Sequence, residues 1–425
     1  MSQTSVAASS GLVQEVVSPQ GIRAYLIHDR SLPIVSLVAS FRRGAALDPE
    51  ELAGLSHMTS GLIDEGAGPY DSQAFRAALE DDAIRLSFDV DRDALHLDLK
   101  TLSANRDKAF ELLRLALTRP RFDDEPVARI RSQIQADLRR RSSDPDHLAG
   151  RAWHRLAFAG HPYGHSVRGT PESIAAIGVD AMREVLATRL GRDRLCVGVS
   201  GDIEADELAA ALDRIFGELP ATGGPVAGPP VTPRAGMVHV VPMAIPQSVV
   251  QFGHGGIGRK DPEHYPAYIV NYILGGGGFS SRLTEEIREK RGLAYSVYSY
   301  LHDTELAPLW LGGLATKNEQ VALSLDLLRA ELRRMAEGDI SETELADAKT
   351  YLTGSFPLRL TSNDNVAKAL LGMQVWDLGL DFLDRRNGLI EAVTLEDTRR
   401  AAKRLFDQPL LVTIVGEPQG IEATA

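Results

Sequence analysis

From Ile84 to Leu102 apolar and polar residues alternate, "IRLSFDVDRDALHLDLKTL", with an acidic turn at Asp91 to Asp93. That is the pattern of an antiparallel hairpin. Upstream, "GIRAYLIHD" and "LPIVSLVASFRRG" read as a strand pair, followed by a helix over 50–65 and a second near 71–81. Downstream the apolar spacing changes to three and four, which predicts helices at 106–120, 124–141, 144–158 and 178–190. The loop "AGHPYGHSVRGTPESI" interrupts them, and the strand "RLCVGVSGD" closes the segment.

The same order then runs again. "MVHVVPMAIPQSVVQFGHGGIG" repeats the first strand pair, with Ile245-Pro246 where Leu32-Pro33 stood. Helices at "PEHYPAYIVNYILGG" and "SSRLTEEIREKRG" lead into a second strand pair, "LAYSVYSYLHD" and "LAPLWLGGLAT". Three further helices follow, at 320–338, 341–356 and 362–376. "TLEDTRRAAKRLF" then echoes 178–190 and "LLVTIVGEP" echoes the closing strand, so that Gly201 and Gly416 fall in step at a period of about 215 residues. A repeat this long is a duplicated domain, because each copy can bury a core of its own. Between the copies lies "LPATGGPVAGPPVTPRAG", rich in Pro and Gly and poor in large apolar residues. The expected organisation is an N-terminal domain over 10–218, a linker over 219–236 that could act as a hinge, and a C-terminal domain over 237–420. The fold class is α+β, each domain a mainly antiparallel sheet with helices packed on one face.

Composition narrows the function classes. Hydrophobic residues at 44% and charged residues at 24% suit a soluble globular protein, and no apolar run approaches a membrane span. The N-terminal stretch "MSQTSVAASSGLVQEVV" has no basic region and no long apolar core, so it does not read as an export signal. A net charge of −12 argues against nucleic acid as a partner. The basic run Arg139 to Arg141 ends a predicted helix and complements its dipole. Cys196, the one cysteine, leaves no internal disulfide and reads as a small core residue.

The window "GLSHMTSGLIDEG" raises a metal question. In the inverted zinc motif, His-x-x-Glu-His, two histidines four apart share a helical face and bind Zn2+ while the Glu activates water. Here the corresponding residues are His57, Ser60 and Gly61. A hydroxyl is no base at neutral pH and glycine has no ligand to offer. A third ligand would be a carboxylate on a later helix, yet no Glu occurs between Glu125 and Glu172, and Asp137 is the nearest substitute. His57 therefore reads as a packed or hydrogen-bonded histidine. His161 and His165 in "GHPYGH" are four apart, but the intervening Pro-Tyr-Gly breaks a helix; turn chemistry is the plainer reading and a loop site the alternative.

A second stretch carries positive signals. In "LGGGGFSSRLTEEIREKRGLAYSVYSY" a glycine bend feeds a helix that Ser280 or Ser281 can cap, and Gly292 stops it before a Tyr-rich strand. Arg288 near the helix end and Tyr295 near the strand start can share one space, suited to holding a peptide carbonyl and donating to an oxyanion. Stacking of Arg288 on Tyr295 as surface packing is the alternative.

Together, "GLSHMTSGLIDEG", "HPYGHSVRGTPESI" and "FSSRLTEEIREKRGLAYSVYSY" within duplicated halves resemble the insulinase/pitrilysin metallopeptidase family. The likeness is closest to its bacterial, mitochondrial-processing-peptidase-like branch. The resemblance implies a site shared between chains. One subunit carries His-x-x-Glu-His and zinc, and the other, with its zinc motif lost, carries an Arg and a Tyr seven residues apart, here Arg288 and Tyr295. It implies that this chain binds no cofactor itself, that zinc sits in a homologous partner, and that unstructured peptides are degraded by the pair. Gly275, Gly276, Gly277, Gly278 and Phe279 would then contact substrate backbone. Relatives of this kind suggest the periplasm, with the cytoplasm as alternative. A structural scaffold subunit, or a self-sufficient metallohydrolase with other ligands, are the rival readings.

Overall fold

The computed structural model describes residues 13–424. The first residues of the N-terminal domain, and most of the stretch that does not read as an export signal, lie outside that range.

Among the described residues two sheets form. The first comprises β1 (Val13–Val17), β2 (Arg23–His28), β3 (Ile34–Phe41), β4 (Arg85–Val90), β5 (Leu95–Leu102) and β6 (Leu195–Gly201), in the order β1-β2-β6-β3-β5-β4. The second comprises β7 (Met237–Pro242), β8 (Gln247–Gly255), β9 (Ala294–His302), β10 (Leu309–Lys317) and β11 (Leu411–Gly416), in the order β7-β11-β8-β10-β9. Apart from β1 the two orders are the same, which is the sequence repeat written as topology. Every pairing is antiparallel except β2 with β6 and β7 with β11. The molecule is therefore α+β with two sheet domains, as the pattern predicts.

One pairing differs from expectation. β2 and β3 were read as a strand pair, and so were β7 and β8, but in each sheet the closing strand, β6 or β11, lies between the two. A strand that arrives late and is buried on both faces has to occupy the middle of its sheet. β6 and β11 are buried along nearly their whole length, matching the near-continuous apolar runs at 195–201 and 411–416.

That two-faced burial also corrects the expectation of helices on one face. In the first sheet, Leu37, Ala39 and Phe41 of β3 with Val197 and Val199 of β6 enter one core, beside Phe75, Phe110, Leu113 and Phe216. The alternate residues face the Asn363–Val375 helix: a Cβ on Gly198 would lie 2.3 Å from the Ala367 carbonyl oxygen, and Gln374 accepts from the Val197 N–H. Cys196 is buried. In the second sheet the Pro145–Ala157 helix plays this part. Trp153 Nε1 donates to the Leu411 carbonyl at 3.1 Å and Thr413 Oγ1 to that of Ala149 at 2.9 Å.

Each compact unit consequently takes a helix from the other half of the sequence. Among the described residues, one consists of 13–138, 165–227 and 355–385, the other of 139–164, 228–354 and 386–424. The start of the Pro/Gly-rich segment is tied down within the first unit, where Arg192 and Asp193 N–H groups donate to Pro220 and Ala221 carbonyls. Its end is tied down within the second, where Val231 N–H donates to Leu306 and Arg234 N–H to Ala157. No described helix is long and apolar enough to cross a membrane.

Candidate functional site

The helix expected over 50–65 is broken. A short 3-10 turn covers Glu50–Leu52, the α-helix proper spans only Leu55–Ser60, and Gly61 caps it. Gly54 explains the break: it sits at φ +90°, and a Cβ there would lie 2.9 Å from the Arg168 carbonyl carbon and oxygen. Only glycine accepts both the left-handed conformation and the close approach. Leu55, Met58 and Leu62 anchor the short helix in a satellite core with Ile134, Leu138, Ile174 and Met182.

The polar side chains of this window serve the window itself. Asp48, almost wholly buried, accepts from the Ser56 N–H at 3.0 Å, from Ser56 Oγ at 2.7 Å and from Arg189 Nη1 at 2.8 Å. Thr59 Oγ1 donates to the Leu55 carbonyl, and Ser60 Oγ to that of His57 at 2.9 Å, so the hydroxyl in the base position is turned back onto its own helix. His57 Nε2 lies 3.4 Å from Arg168 Nη1, and that same nitrogen lies 3.8 Å from Asp137 Oδ2. One imidazole, a back-bonded hydroxyl, a glycine and a guanidinium do not fit a zinc ion, which takes four N, S or O ligands and repels a cation. Among the described residues no group of three or more His, Cys, Asp or Glu side chains could hold a metal. In the "GHPYGH" loop, His161 Nδ1 accepts from the Tyr163 N–H at 3.2 Å and its ring packs edge-on to that of Tyr163, which is turn chemistry.

The second stretch is built differently. The helix His264–Asn271 widens into a π-helical turn over Tyr272–Gly276, and a second such turn, Thr284–Glu289, stands where a capped α-helix was expected. The Lys290 N–H reaches back five residues to the Glu285 carbonyl at 3.0 Å. Neither serine caps it: Ser280 Oγ donates to the Gly277 carbonyl and Ser281 Oγ to that of Gly278, tightening the bend instead. π-turns of this kind gather at functional sites.

Asn271 ties the bend to β9 and β10. It donates to the Ser299 carbonyl, and its Oδ1 accepts from Ser299 Oγ and from Trp310 Nε1, each at 2.9 Å. Gly275 is buried there, since a Cβ would meet Ser299 Oγ at 2.4 Å and its N at 2.8 Å. Gly276, Gly278 and Phe279 are exposed, Gly277 is half-buried, and Gly278 sits at φ +60°.

β9 is the edge of its sheet and begins with a bulge. Val297 pairs with Leu314 and Ala294 with Thr316, so Tyr295 and Ser296 together oppose Ala315. The extra residue breaks the alternation and leaves both side chains outward. Bulges commonly re-aim a side chain beside an active site. Tyr295 is 84% exposed and Phe279 72%, and the Arg288 guanidinium carbon lies 4.9 Å and 4.6 Å from their ring centroids. Arg288 Nε is also 3.3 Å from a Glu289 carboxylate oxygen. Gly292, at φ +61°, returns its N–H to the Arg288 carbonyl at 2.8 Å and starts the chain toward β9. Arg288, Tyr295 and the tip of the glycine bend are thus brought together, whereas His57, Ser60 and Gly61 form a separate, inward-turned window. The arginine stacks as the packing alternative foresaw, with Phe279 as a further wall. The bulge gives no signal in a single sequence.

Comparison with known proteins places both stretches within one family. Residues 23–171 match the family described as Insulinase (Peptidase family M16), and residues 176–352 match Peptidase M16 inactive domain. A Helicobacter pylori protein named "Non-peptidase homolog YmxG" is 29% identical over 85% of this chain and 83% of its own length. A Bacillus subtilis protein named "Uncharacterized zinc protease YmxG" is 22% identical over 96% and 99%. Among solved structures, a peptidase M16 inactive domain from Pseudomonas fluorescens superposes with a TM-score of 0.90 at 25% identity, covering 96% of this chain and 98% of that one. With both family regions matched in order along one chain that has the duplicated sheet topology, the protein belongs to the M16, insulinase-type, peptidase family.

Proposed function

We propose that this chain is the non-catalytic, Arg/Tyr-bearing subunit of a two-chain zinc endopeptidase that degrades unstructured peptides, working with a homologous partner that carries an intact His-x-x-Glu-His. The observation that carries the reading is Tyr295, held outward by a bulge with Arg288 stacked on it, in a chain whose own motif window has no usable ligand set. A bulge that re-aims a side chain is commonly found beside an active site, which supports a role for Tyr295 outside local packing. The partner's zinc would polarise the scissile carbonyl and supply the activated water. On this chain, the Tyr295 hydroxyl, which has no hydrogen-bond partner among the described residues, is free to donate to the developing oxyanion. Arg288, its guanidinium carbon 4.6 Å and 4.9 Å from the two ring centroids, would fix the substrate backbone or orient the phenol.

The test is to measure zinc content and cleavage of a quenched unstructured peptide by this chain alone, then after mixing with an intact-motif homologue. Cleavage only on mixing, reduced about 100- to 1000-fold by Tyr295→Phe, is the expected result. Full activity of the Tyr295→Phe pair would reassign Tyr295 to packing. Absence of any cleavage on mixing would favour the scaffold reading, with which the aromatic stack around Arg288 is also compatible.

A further inference from the structure

We propose that Arg168 is the resident cation of the motif window, a guanidinium taking the place that a metal ion would fill among these residues. The two groups here with ligand chemistry come from different elements, His57 from the Leu55–Ser60 helix and Asp137 from the Asp124–Arg141 helix. They converge on one nitrogen, Arg168 Nη1, at 3.4 Å and 3.8 Å. The contact requires the His57 Nε2 lone pair to face the guanidinium, as it would face a metal, because arginine has donors only.

The placement of Arg168 is built into the backbone. Gly169 sits at φ +78°, and a Cβ there would come within 2.3 Å of the Ala53 carbonyl oxygen. Gly54 lets the Arg168 peptide group approach the start of the helix from the other side. Two glycines in left-handed conformations thus press the Arg168 backbone against the window. Ser173 Oγ, one turn further on, donates to that same Ala53 carbonyl at 2.7 Å and locks the loop.

The consequence is chemical. A guanidinium keeps its charge at any physiological pH, offers no open coordination position and does not acidify water, so the window holds a permanent positive charge without hydrolytic power. It also follows that the missing ligands are only half of what separates this window from a zinc site. Restoring them would bring an incoming dication within a few ångströms of a fixed cation. This inference stands on its own geometry and does not depend on the partner-subunit reading.

The experiment is a ligand restoration in two backgrounds. Ser60→Glu, Gly61→His and Asp137→Glu are combined, once with Arg168 kept and once with Arg168→Leu added, folding is checked by circular dichroism, and zinc affinity is measured by competition with a chromophoric chelator. The Arg168→Leu background is expected to bind zinc at least about 100-fold more tightly, as for removal of a close like charge. Equal affinity in the two, including no binding by either, overturns the proposal. If the combined variants do not fold, Arg168→Ala alone in the native sequence serves. Its melting temperature should fall and be regained with millimolar methylguanidinium, relative to the native chain in the same solution. A melting temperature that is unchanged, or not regained, also overturns it.

Discussion

The window from Gly54 to Gly68 and the stretch from Leu274 to Tyr300 belong to sheets of the same strand order, yet they treat their polar residues in opposite ways. In the first, Ser56, Thr59 and Ser60 all bond inward to Asp48 or to their own helix, and His57 faces a guanidinium. In the second, a bulge and two π-turns push Tyr295 and Phe279 into solvent around Arg288. The lesson is that one strand order supports two opposite treatments of polar side chains, turned inward into hydrogen-bonded structure in one window and outward at a bulged edge in the other.

If the first window is purely structural, its buried ion pair should be the most sensitive point in it. Asp48→Ala would leave the Arg189 guanidinium buried without its carboxylate, at a cost of about 3–5 kcal/mol. Urea unfolding should register that loss. A loss under about 1 kcal/mol would mean that the window is not held as described, since only exposed ion pairs are worth so little.

A paired substitution sharpens the contrast next. In a reconstituted pair, Tyr295→Phe is expected to lower turnover about 100- to 1000-fold. His57→Gln, measured in the same assay, should leave turnover roughly unchanged, because nothing in its surroundings can act on substrate. Equal effects from the two would erase the distinction between the regions.

Much of this contrast is legible in the amino-acid sequence. Ser60 and Gly61 announce the missing ligands by residue type alone, and the family resemblance singles out Arg288 and Tyr295, seven residues apart, in the other region. Strand identity was legible as well, since alternation at 84–102 and continuous apolar runs at 195–201 and 411–416 are local signals. What was hidden is non-local. That β6 and β11 insert between strands adjacent in sequence, or that the 363–375 helix covers β6, depends on contacts distant in sequence, the Val197–Gln374 bond spanning 177 residues. The broken helix at 50–65 was misread because Gly54 looks like a tolerated mid-helix glycine until Arg168 is seen pressing against it. Arg168 itself lies in "HPYGHSVRGTPESI", a stretch that carries the family resemblance but does not single out this side chain.

Acid should separate the two units. In the second, burial holds His254 and His264 down at about 4, against about 6.5 for a free histidine. A depressed histidine contributes stability in full above about pH 6.5 and loses it as pH falls toward 4, by about 2–3 kcal/mol for each ring. Within the first window, burial pushes Asp64 up to about 6. The sign is reversed there: the cost of its charge is absent below about pH 4, builds as pH rises from there to about 6, and is fully present above 6. His254→Phe, which keeps a ring over Trp310, should therefore flatten the acid loss of stability. Asp64→Asn should stabilise at pH 7.5 and not at pH 4. Denaturant midpoints across that range would show both slopes, and parallel slopes would contradict the assignment.

The smallest effect concerns the wall that the sequence alone did not connect to Arg288. Phe279 lies under the guanidinium at 4.6 Å but is 72% exposed, so the stack contributes only about 0.5–1 kcal/mol to folding. Phe279→Ala should shift the unfolding midpoint barely at all. If Arg288 has to lie flat beside Tyr295 to engage a peptide, however, removing one of its two walls frees the guanidinium to swing toward Glu289, already 3.3 Å from its Nε. The apparent affinity for peptide should then weaken several-fold, by the conversion of about 1 kcal/mol, while stability holds. Phe279→Leu, apolar but without a π face, tells the two contributions apart. Behaviour like Phe279→Ala assigns the effect to the cation–π stack, and behaviour like the native chain assigns it to bulk alone.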